Sequence, residues 1–235
     1  MNYLSVAGKH HNYDEKNNQD AIIFKMNTDY CAMVLADGVS TCEEGGTGAK
    51  TTCAATAEFL LDHAERIFNM NKQKTADSLV EHIMQHLKEN AENENKDVEE
   101  YSSTLACVLF DRKENKMLYL SIGDSLIIAT QNDKCYVVAM PSDSRNGCCV
   151  TTTLNASRMA KVGIVDTENL GSIMICSDGA WHLMYRRNTM EQPIKELILN
   201  NDYTGLKEIL LEKERFDDCS FITINLKDYS RRKTA

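Results

Sequence analysis

Aspartate recurs at the ends of apolar, strand-like segments of this sequence. Five positions share this placement: Asp20, Asp37, Asp124, Asp178 and Asp217. Neighbouring strands of a sheet lie about 4.8 Å apart, so carboxylates at adjacent strand ends can converge. Carboxylates that close raise one another's pKa, and cations would be needed to hold the cluster ionised. Because such a cluster offers oxygen ligands without cysteine or histidine, it suits Mg²⁺ or Mn²⁺ rather than zinc.

The glycine-rich segment VLADGVSTCEEGGTGAKTT suggests a second interpretation, a phosphate-binding loop between a strand and a helix. Such a loop needs Gly-Lys-Ser/Thr to be contiguous, and here Ala49 separates Gly48 from Lys50. Glu43 and Glu44 would also place negative charge where phosphates should lie. The aspartate of the segment is therefore the functional candidate, although an isolated Asp-Gly is most often a turn.

Composition indicates one globular domain over residues 1–235. The chain has 235 residues, of which 43% are hydrophobic, enough for a sizeable core. Its 35 acidic and 26 basic residues give a net charge of -9, which argues against nucleic acid as a partner. The N-terminus lacks the apolar core of a signal peptide, and no stretch approaches a membrane span, so we expect a cytoplasmic protein without a membrane partner.

The nine cysteines form no Cys-x-x-Cys pair, and several lie inside apolar runs. Cys31, Cys107, Cys135 and Cys176 are predicted to be small core residues in a reducing compartment, and not members of a disulfide framework or a zinc site. No cysteine is followed by an arginine in the Cys-x5-Arg spacing of a phosphocysteine enzyme.

Strands and helices occur in blocks along the chain. Eight short β-rich runs are predicted: 21–25, 30–36, 104–111, 117–122, 126–129, 136–140, 173–176 and 221–226. Helical periodicity is present around residues 49–67 and 76–87, and again around 193–214. Helices grouped between blocks of strands predict an α+β fold in which sheets pack face to face with helices outside.

Six segments resemble, in order, the motifs of the metal-dependent protein phosphatases of the protein phosphatase 2C type, most closely the compact bacterial branch. They are NNQDA, LADGVST with GTGAKTT, SSTLACVLFD, YLSIGDS, MICSDGAW and FDDCSFITI. Each motif is weak alone, but six in order are specific, and they span the chain from Gly8 to Ile224. The resemblance implies a β-sandwich of two antiparallel sheets flanked by helix pairs.

The resemblance also implies roles for individual residues. Asp37 would bridge two Mg²⁺ or Mn²⁺ ions, and the carbonyl of Gly38 would bind one of them. Asp178 and Asp217 would bind the other ion, and Asp20 would hold metal-coordinated water. Asp124 would contribute with Asp178 to a third, weaker ion, whereas Asp218 stands at an asparagine position of the family and is not expected to be a direct ligand.

The chain departs from the family near its N-terminus, where an arginine often binds the substrate phosphate. Lys9, His10 and His11 are the candidates here, and His11 is placed in the catalytic set with Asp20 and Asp37. Elsewhere, Gln19 replaces a glutamate, Leu126 replaces an arginine, and Val39 occupies the position of a histidine in animal members.

Other polar residues receive structural interpretations. His82 and His86 lie one helical turn apart without the glutamate of His-Glu-x-x-His, so they are interpreted as a surface pair on a helix. Trp181 and His182 are predicted to pack rather than to catalyse.

The resemblance implies a serine/threonine phosphoprotein phosphatase in which two ions, possibly with a third, activate a bridging water for in-line hydrolysis of a phosphomonoester. The alternative is a pseudophosphatase that keeps the fold as a regulatory binding module. Retention of all five aspartates favours the enzyme over this alternative. The physiological substrate and the oligomeric state stay open.

Overall fold

The protein is described by a computed structural model that covers residues 1–9, 18–142 and 149–229. Two five-stranded antiparallel sheets form its centre. The first sheet has the order β2 (Asp20–Met26), β3 (Tyr30–Asp37), β4 (Leu105–Asp111), β5 (Lys116–Ile122) and β8 (Lys161–Asp166). The second has the order β1 (Asn2–Val6), β12 (Cys219–Asn225), β9 (Ser172–Cys176), β6 (Leu126–Gln131) and β7 (Lys134–Ala139). A short hairpin, β10 (Tyr185–Arg186) with β11 (Thr189–Met190), forms a third, two-stranded sheet.

Helices cover the outer faces of both sheets. The helices between β3 and β4 are α1 (Gly45–Asp62), α2 (Ala64–Asn69) and α3 (Lys72–Glu94), followed by a 3₁₀ turn at Val98–Tyr101. The short helix α4 (Ala156–Met159) precedes β8. Helices α5 (Asp178–Met184), α6 (Gln192–Leu199) and α7 (Tyr203–Glu212) separate β9 from β12, and α8 (Leu226–Tyr229) follows it.

Strand β3 shows why these segments form a sandwich with helices outside. Cys31, Met33 and Leu35 contribute to the core between the two sheets. Ala32 and Val34 belong to the core beneath α1 and α3, because alternate side chains of a strand point to opposite faces. A strand buried on both faces reads as a continuous apolar run, as β3 does in the sequence.

A third apolar cluster lies under the helices of the second sheet. Phe221 of β12 and Met174 of β9 pack there with Ile194, Leu206 and Leu210 of α6 and α7. The molecule is therefore layered helix–sheet–sheet–helix, and the predicted α+β sandwich of two antiparallel sheets flanked by helix pairs is confirmed.

The sequence missed several elements and merged two others. Strands β1 and β8 and the β10–β11 hairpin were not predicted: β1 begins with exposed residues, β8 contains Gly163 and ends at the exposed Asp166, and β10 and β11 have two residues each. The helix expected over 193–214 is two helices: Asn201 adopts a left-handed backbone (φ 56°), and Asp202 caps α7 by accepting from Gly205 N–H. This cap satisfies a backbone donor at the helix start, so a second helix begins there.

The cysteine prediction is confirmed at three positions. Cys31, Cys107 and Cys176 are fully buried, whereas Cys135 on the outer strand β7 is only half-buried. The thiols of the described segments are free. Over the same segments, no helix has the length and apolar character needed to cross a bilayer.

Candidate metal centre

Asp20 and Asp37 face each other at one end of the first sheet. Strand β2 begins where the antiparallel β3 ends, and the two aspartates are register partners. Asp37 continues the alternation of Met33 and Leu35, so its side chain lies on the face directed toward the second sheet. The backbone around it is held by β4, since Asp37 N–H donates to Thr104 Oγ1 at 3.0 Å. The two predicted ligands are therefore adjacent on one face.

The second sheet supplies aspartates at the same end of the sandwich. Strand β9 ends at Cys176 next to the start of β12, and Ser177 N–H donates to the Ser220 carbonyl at 2.9 Å. Asp178 therefore begins α5 beside Asp217 and Asp218, which precede β12. Asp124 precedes strand β6, in which Leu126 pairs with Cys176 of the antiparallel strand β9. Extending this register by two residues places Asp124 beside Asp178.

Three glycines allow the backbones around these aspartates to approach closely. A Cβ on Gly8 would lie 2.3 Å from the carbonyl carbon of Asp217, and one on Gly179 would lie 2.1 Å from the carbonyl oxygen of Asp218. A Cβ on Gly38 would lie 2.4 Å from the carbonyl carbon of Gly45 at the start of α1. No side chain fits at these contacts, so the glycines are required for packing of the loops that carry the aspartates.

The Asp20 carboxyl is buried without a hydrogen-bond partner for either oxygen in the described part of the chain. Burial raises its pKa to about 7, nearby Asp218 and Asp178 add to this rise, and the hydroxyls of Ser220 and Ser177 oppose it. Those hydroxyls donate elsewhere in this arrangement: Ser220 Oγ to Ser5 Oγ at 2.8 Å, and Ser177 Oγ to backbone carbonyls. A buried carboxylate with unused lone pairs is a site for a cation or a proton.

Burial also raises the pKa of Asp37 well above its usual value, and Asp20, Asp178 and Asp217 add repulsion. The pKa of Asp178 is raised by burial and then by Asp217 and Asp124. The pKa values of Asp20, Asp37 and Asp178 are therefore raised by burial and by neighbouring aspartates, with Asp217 acting on Asp37 and Asp178, and Asp124 acting on Asp178. Within the described residues, no three of these aspartates have carboxylate oxygens that all lie within 4.8 Å of one another. The aspartates are therefore neighbours in pairs and do not converge on one point.

Asp218 differs from its neighbours. It is fully buried, and its two carboxylate oxygens accept backbone N–H groups of Gly8 (2.8 Å) and Gln19 (2.6 Å). It thus anchors the N-terminal segment against β12, which agrees with its exclusion from the ligand set. The Gln19 side-chain carbonyl is buried and has no partner in the described segments, and Gln19 packs against Gly46 near the start of α1.

The glycine-rich loop is not arranged as a phosphate cradle. Lys50 lies exposed on α1, and Glu44 accepts from Thr47 Oγ1 (2.9 Å) and forms an ion pair with Lys96. Lys96 also lies 3.6 Å from Glu43. The acidic residues of the loop are thus neutralised by a lysine beyond α3.

Of the predicted phosphate-binding residues, only Lys9 lies within the described part of the chain. Its ammonium is exposed and forms an ion pair with Glu214, and its backbone N–H donates to the Arg215 carbonyl at 3.0 Å. His10 and His11, including the catalytic assignment of His11, fall outside the described residues. Arg215 is a nearby cation that the sequence did not single out, but its Nη1 binds the carbonyls of Leu210 and Leu211 at the end of α7.

Trp181 has a positioning contact beyond packing. Its indole N–H donates to the backbone carbonyl of Asp124 at 2.9 Å, and the centroid of its ring lies 3.9 Å from the centroid of the His182 ring. This bond ties the loop before β6 to α5. Leu126, at the family's arginine position, is buried in the core beneath α5 and α6.

The sequence matches the family model described as Protein phosphatase 2C over residues 7–212. This match covers most of the chain, so the protein belongs to the protein phosphatase 2C family, a class of protein-serine/threonine phosphatases. It stops short of Asp217, whose place in the centre follows from the pairing of β12 with β9. Comparison with curated protein sequences gave no significant match.

Several solved structures of bacterial phosphatases have a similar fold. A mutant of a bacterial serine phosphatase aligns with a TM-score of 0.72 and 15% identity, covering 98% of each chain. The serine/threonine phosphatase Stp1 from Staphylococcus aureus aligns with a TM-score of 0.67 and 17% identity, covering 95% of this chain and 93% of that one. The catalytic domain of the phosphatase PstP, solved with two manganese ions, aligns with a TM-score of 0.67 and 15% identity, covering 95% and 96%.

Proposed function

We propose that this chain hydrolyses phosphoserine or phosphothreonine in protein substrates in a reaction that depends on Mg²⁺ or Mn²⁺. The observation that carries this proposal is the buried, unpartnered carboxyl of Asp20 beside Asp37 and Asp178. A cluster of this kind is costly without cations, and the protein belongs to a phosphatase family.

The donors fit hard divalent cations. Asp37, Asp178 and Asp217 with the Gly38 carbonyl would hold the inner ions, Asp20 would orient water on them, and Asp124 with Asp178 would hold a weaker outer ion. All are oxygen donors, as Mg²⁺ and Mn²⁺ prefer. When bound, a pair of such ions lowers the pKa of coordinated water and neutralises charge on the phosphoryl group.

The chain's own groups then position the reaction. Asp20 has two unused oxygens, so it can accept hydrogen bonds from a water and orient it for in-line attack. The backbone N–H of Asp37 is held by Thr104, and this keeps the Asp37 carboxylate on the face directed toward the second sheet. Burial of the cluster excludes bulk water and strengthens each electrostatic interaction within it.

Substrate phosphate needs a further cation, and Lys9 is the described candidate, with His10 and His11 beside it in sequence. The Lys9–Glu214 pair is exposed and screened by solvent, so exchange of Glu214 for a phosphate costs little. We place the activity in the cytoplasm, since the free buried cysteines suit a reducing compartment.

The experiment that tests the proposal is hydrolysis of p-nitrophenyl phosphate and of a phosphothreonine peptide by purified protein, with Mn²⁺ or Mg²⁺ and then with EDTA. Turnover that requires the metal and stops with EDTA is expected. A folded protein that shows no metal-dependent turnover on either substrate would contradict the enzyme and favour the pseudophosphatase.

A further inference from the structure

Glu58, His82 and His86 form a second cluster of metal-ligating side chains on the helix layer outside the first sheet. Glu58 belongs to α1, and the two histidines lie one turn apart on α3. One ligand atom from each side chain lies within 4.8 Å of the other two, and no other described trio of Cys, His, Asp or Glu side chains does so. This trio is not visible in the sequence, because Glu58 is 24 positions before His82.

The Nε2 atom of His82 gives an independent indication of a ligand. It is buried and has no hydrogen-bond partner among the described residues, although the rest of the side chain is partly exposed. The rings of Phe59 (centroid distance 5.5 Å) and His86 (4.8 Å) pack against the imidazole. An unpaired buried polar atom costs free energy unless it gains a partner, and a bound cation supplies one.

A carboxylate lies near the second histidine, at a distance too long for a hydrogen bond. His86 Nδ1 lies 3.7 Å from Glu89 Oε2, one turn further along α3. Metal-binding histidines commonly direct their second ring nitrogen at a carboxylate, which fixes the tautomer and leaves the other nitrogen free for the metal. Glu89 would take this role for His86 on metal binding.

We propose that Glu58, His82 and His86 bind one Zn²⁺ ion that clamps helix α1 to helix α3. Two imidazoles and a carboxylate are a common three-ligand set for zinc, with water in the remaining position. Mg²⁺ prefers oxygen ligands, so it does not compete effectively at this trio.

The protonation state of His82 also suits metal binding near neutral pH. The pKa of His82 is lowered, first by burial and then by His86, while Glu58 opposes the shift. Neutral imidazole is the form that binds a metal, so little free energy is lost to deprotonation.

The zinc site is separate from the aspartate centre. Glu58 lies 13 residues beyond Gly45 in α1, which at about 1.5 Å per residue places it roughly 20 Å along the helix from the loop that follows Asp37. The proposal therefore adds a site to the protein and does not depend on the phosphatase activity.

The test is zinc binding to the EDTA-stripped full chain in the presence of excess Mg²⁺, measured by competition with a chromophoric chelator. Wild type is expected to bind one Zn²⁺ per chain, and binding should raise its unfolding temperature. Glu58→Gln and His86→Gln should each weaken binding by at least ~10-fold and abolish the thermal shift. Glu58 is exposed and His86 is partly exposed, so both variants should fold. Circular dichroism will verify this.

Two matched variants locate the ion. His63→Gln changes a neighbouring histidine outside the trio and should bind zinc as wild type does. Asp37→Asn should also leave zinc affinity unchanged. Absence of tight binding, equal affinity in Glu58→Gln and wild type, or loss of binding in Asp37→Asn alone would overturn the proposal.

Discussion

The two ends of the first sheet carry aspartates in the same sequence setting but in opposite electrostatic states. At the end distant from the candidate centre, Asp111 closes β4 and accepts the backbone N–H groups of Lys113 (2.9 Å) and Glu114 (3.0 Å). Asp29 pairs there with Lys113 Nζ at 2.8 Å. At the other end, the Asp20 carboxyl has no such partner within the described residues, and its neighbours are further carboxylates.

This difference separates a turn from a binding site. An aspartate that accepts local backbone N–H groups stabilises a turn and is satisfied. An aspartate buried among like charges destabilises the metal-free fold and gains stability only from a proton or a cation. Both kinds lie at an end of an apolar strand in the sequence, so position in the sequence does not distinguish them.

The largest expected effect comes from matched Asp→Asn variants at the two ends. Asp37→Asn should reduce metal-dependent turnover at least ~100-fold, because several kcal/mol of transition-state stabilisation depend on the ions it holds. In EDTA the same variant should be more stable than wild type by about 1 kcal/mol or more, since a repelled buried charge is removed. Asp111→Asn should keep wild-type turnover and gain no stability. Enzyme kinetics measures the turnover of the two variants, and urea unfolding in EDTA measures their stability. Calorimetric titration that shows two unaltered metal sites in Asp37→Asn would refute the assignment of Asp37 as a ligand.

The second prediction concerns pH. The pKa of Asp20 is about 7 in the folded state, against its ordinary value of 3.8, so the folded protein binds more protons between these limits. The free energy of unfolding of the metal-free protein should therefore fall as pH rises from about 4 to about 7. Above that range Asp20 is ionised in both states, so its contribution no longer changes with pH. Urea unfolding in EDTA at several pH values tests this.

Asp20→Asn is the control for the pH series. The lowered pKa of His82 produces a slope of the opposite sign, and it is present in both proteins, so it cancels in their difference. That difference reports on Asp20 together with the repulsion that Asp20 exerts on Asp37. Saturating Mg²⁺ should flatten the wild-type slope, because a cation replaces the proton. Identical slopes for wild type and Asp20→Asn would show that Asp20 does not carry the effect.

The smallest expected effect belongs to Asp124. Asp124→Ala should retain the two tight metal sites and lose turnover by ~10-fold on phosphopeptides, because an outer ion assists the reaction without assembling the inner pair. The loss should be smaller on p-nitrophenyl phosphate, whose leaving group needs less help. Asp166→Ala is the control, since Asp166 follows a strand and accepts Glu168 N–H at 2.8 Å. Kinetics equal to wild type on both substrates across a Mn²⁺ titration would leave Asp124 as a turn residue.

Much of the sandwich could be predicted from the sequence. Apolar runs such as that of β3 mark strands buried on both faces, and helical periodicity located α1, α3, α6 and α7. The misses are local: β1 is short with an exposed start, and the break before α7 depends on the left-handed backbone of Asn201 and the cap at Asp202. Neither feature changes the periodicity of apolar residues.

The sequence by itself determined which residues could act: five aspartates at strand ends, in the order of a known family, with oxygen donors suited to Mg²⁺ or Mn²⁺. Only the tertiary structure decided which carboxylates accept backbone N–H groups, as those of Asp111 and Asp218 do, and which are buried together without such partners among the described residues, as Asp20 and Asp37 are. It alone brought Glu58 to His82 and His86. The physical reason is that a carboxylate's state depends on the donors, charges and solvent within a few ångströms, and packing brings those groups from distant parts of the chain.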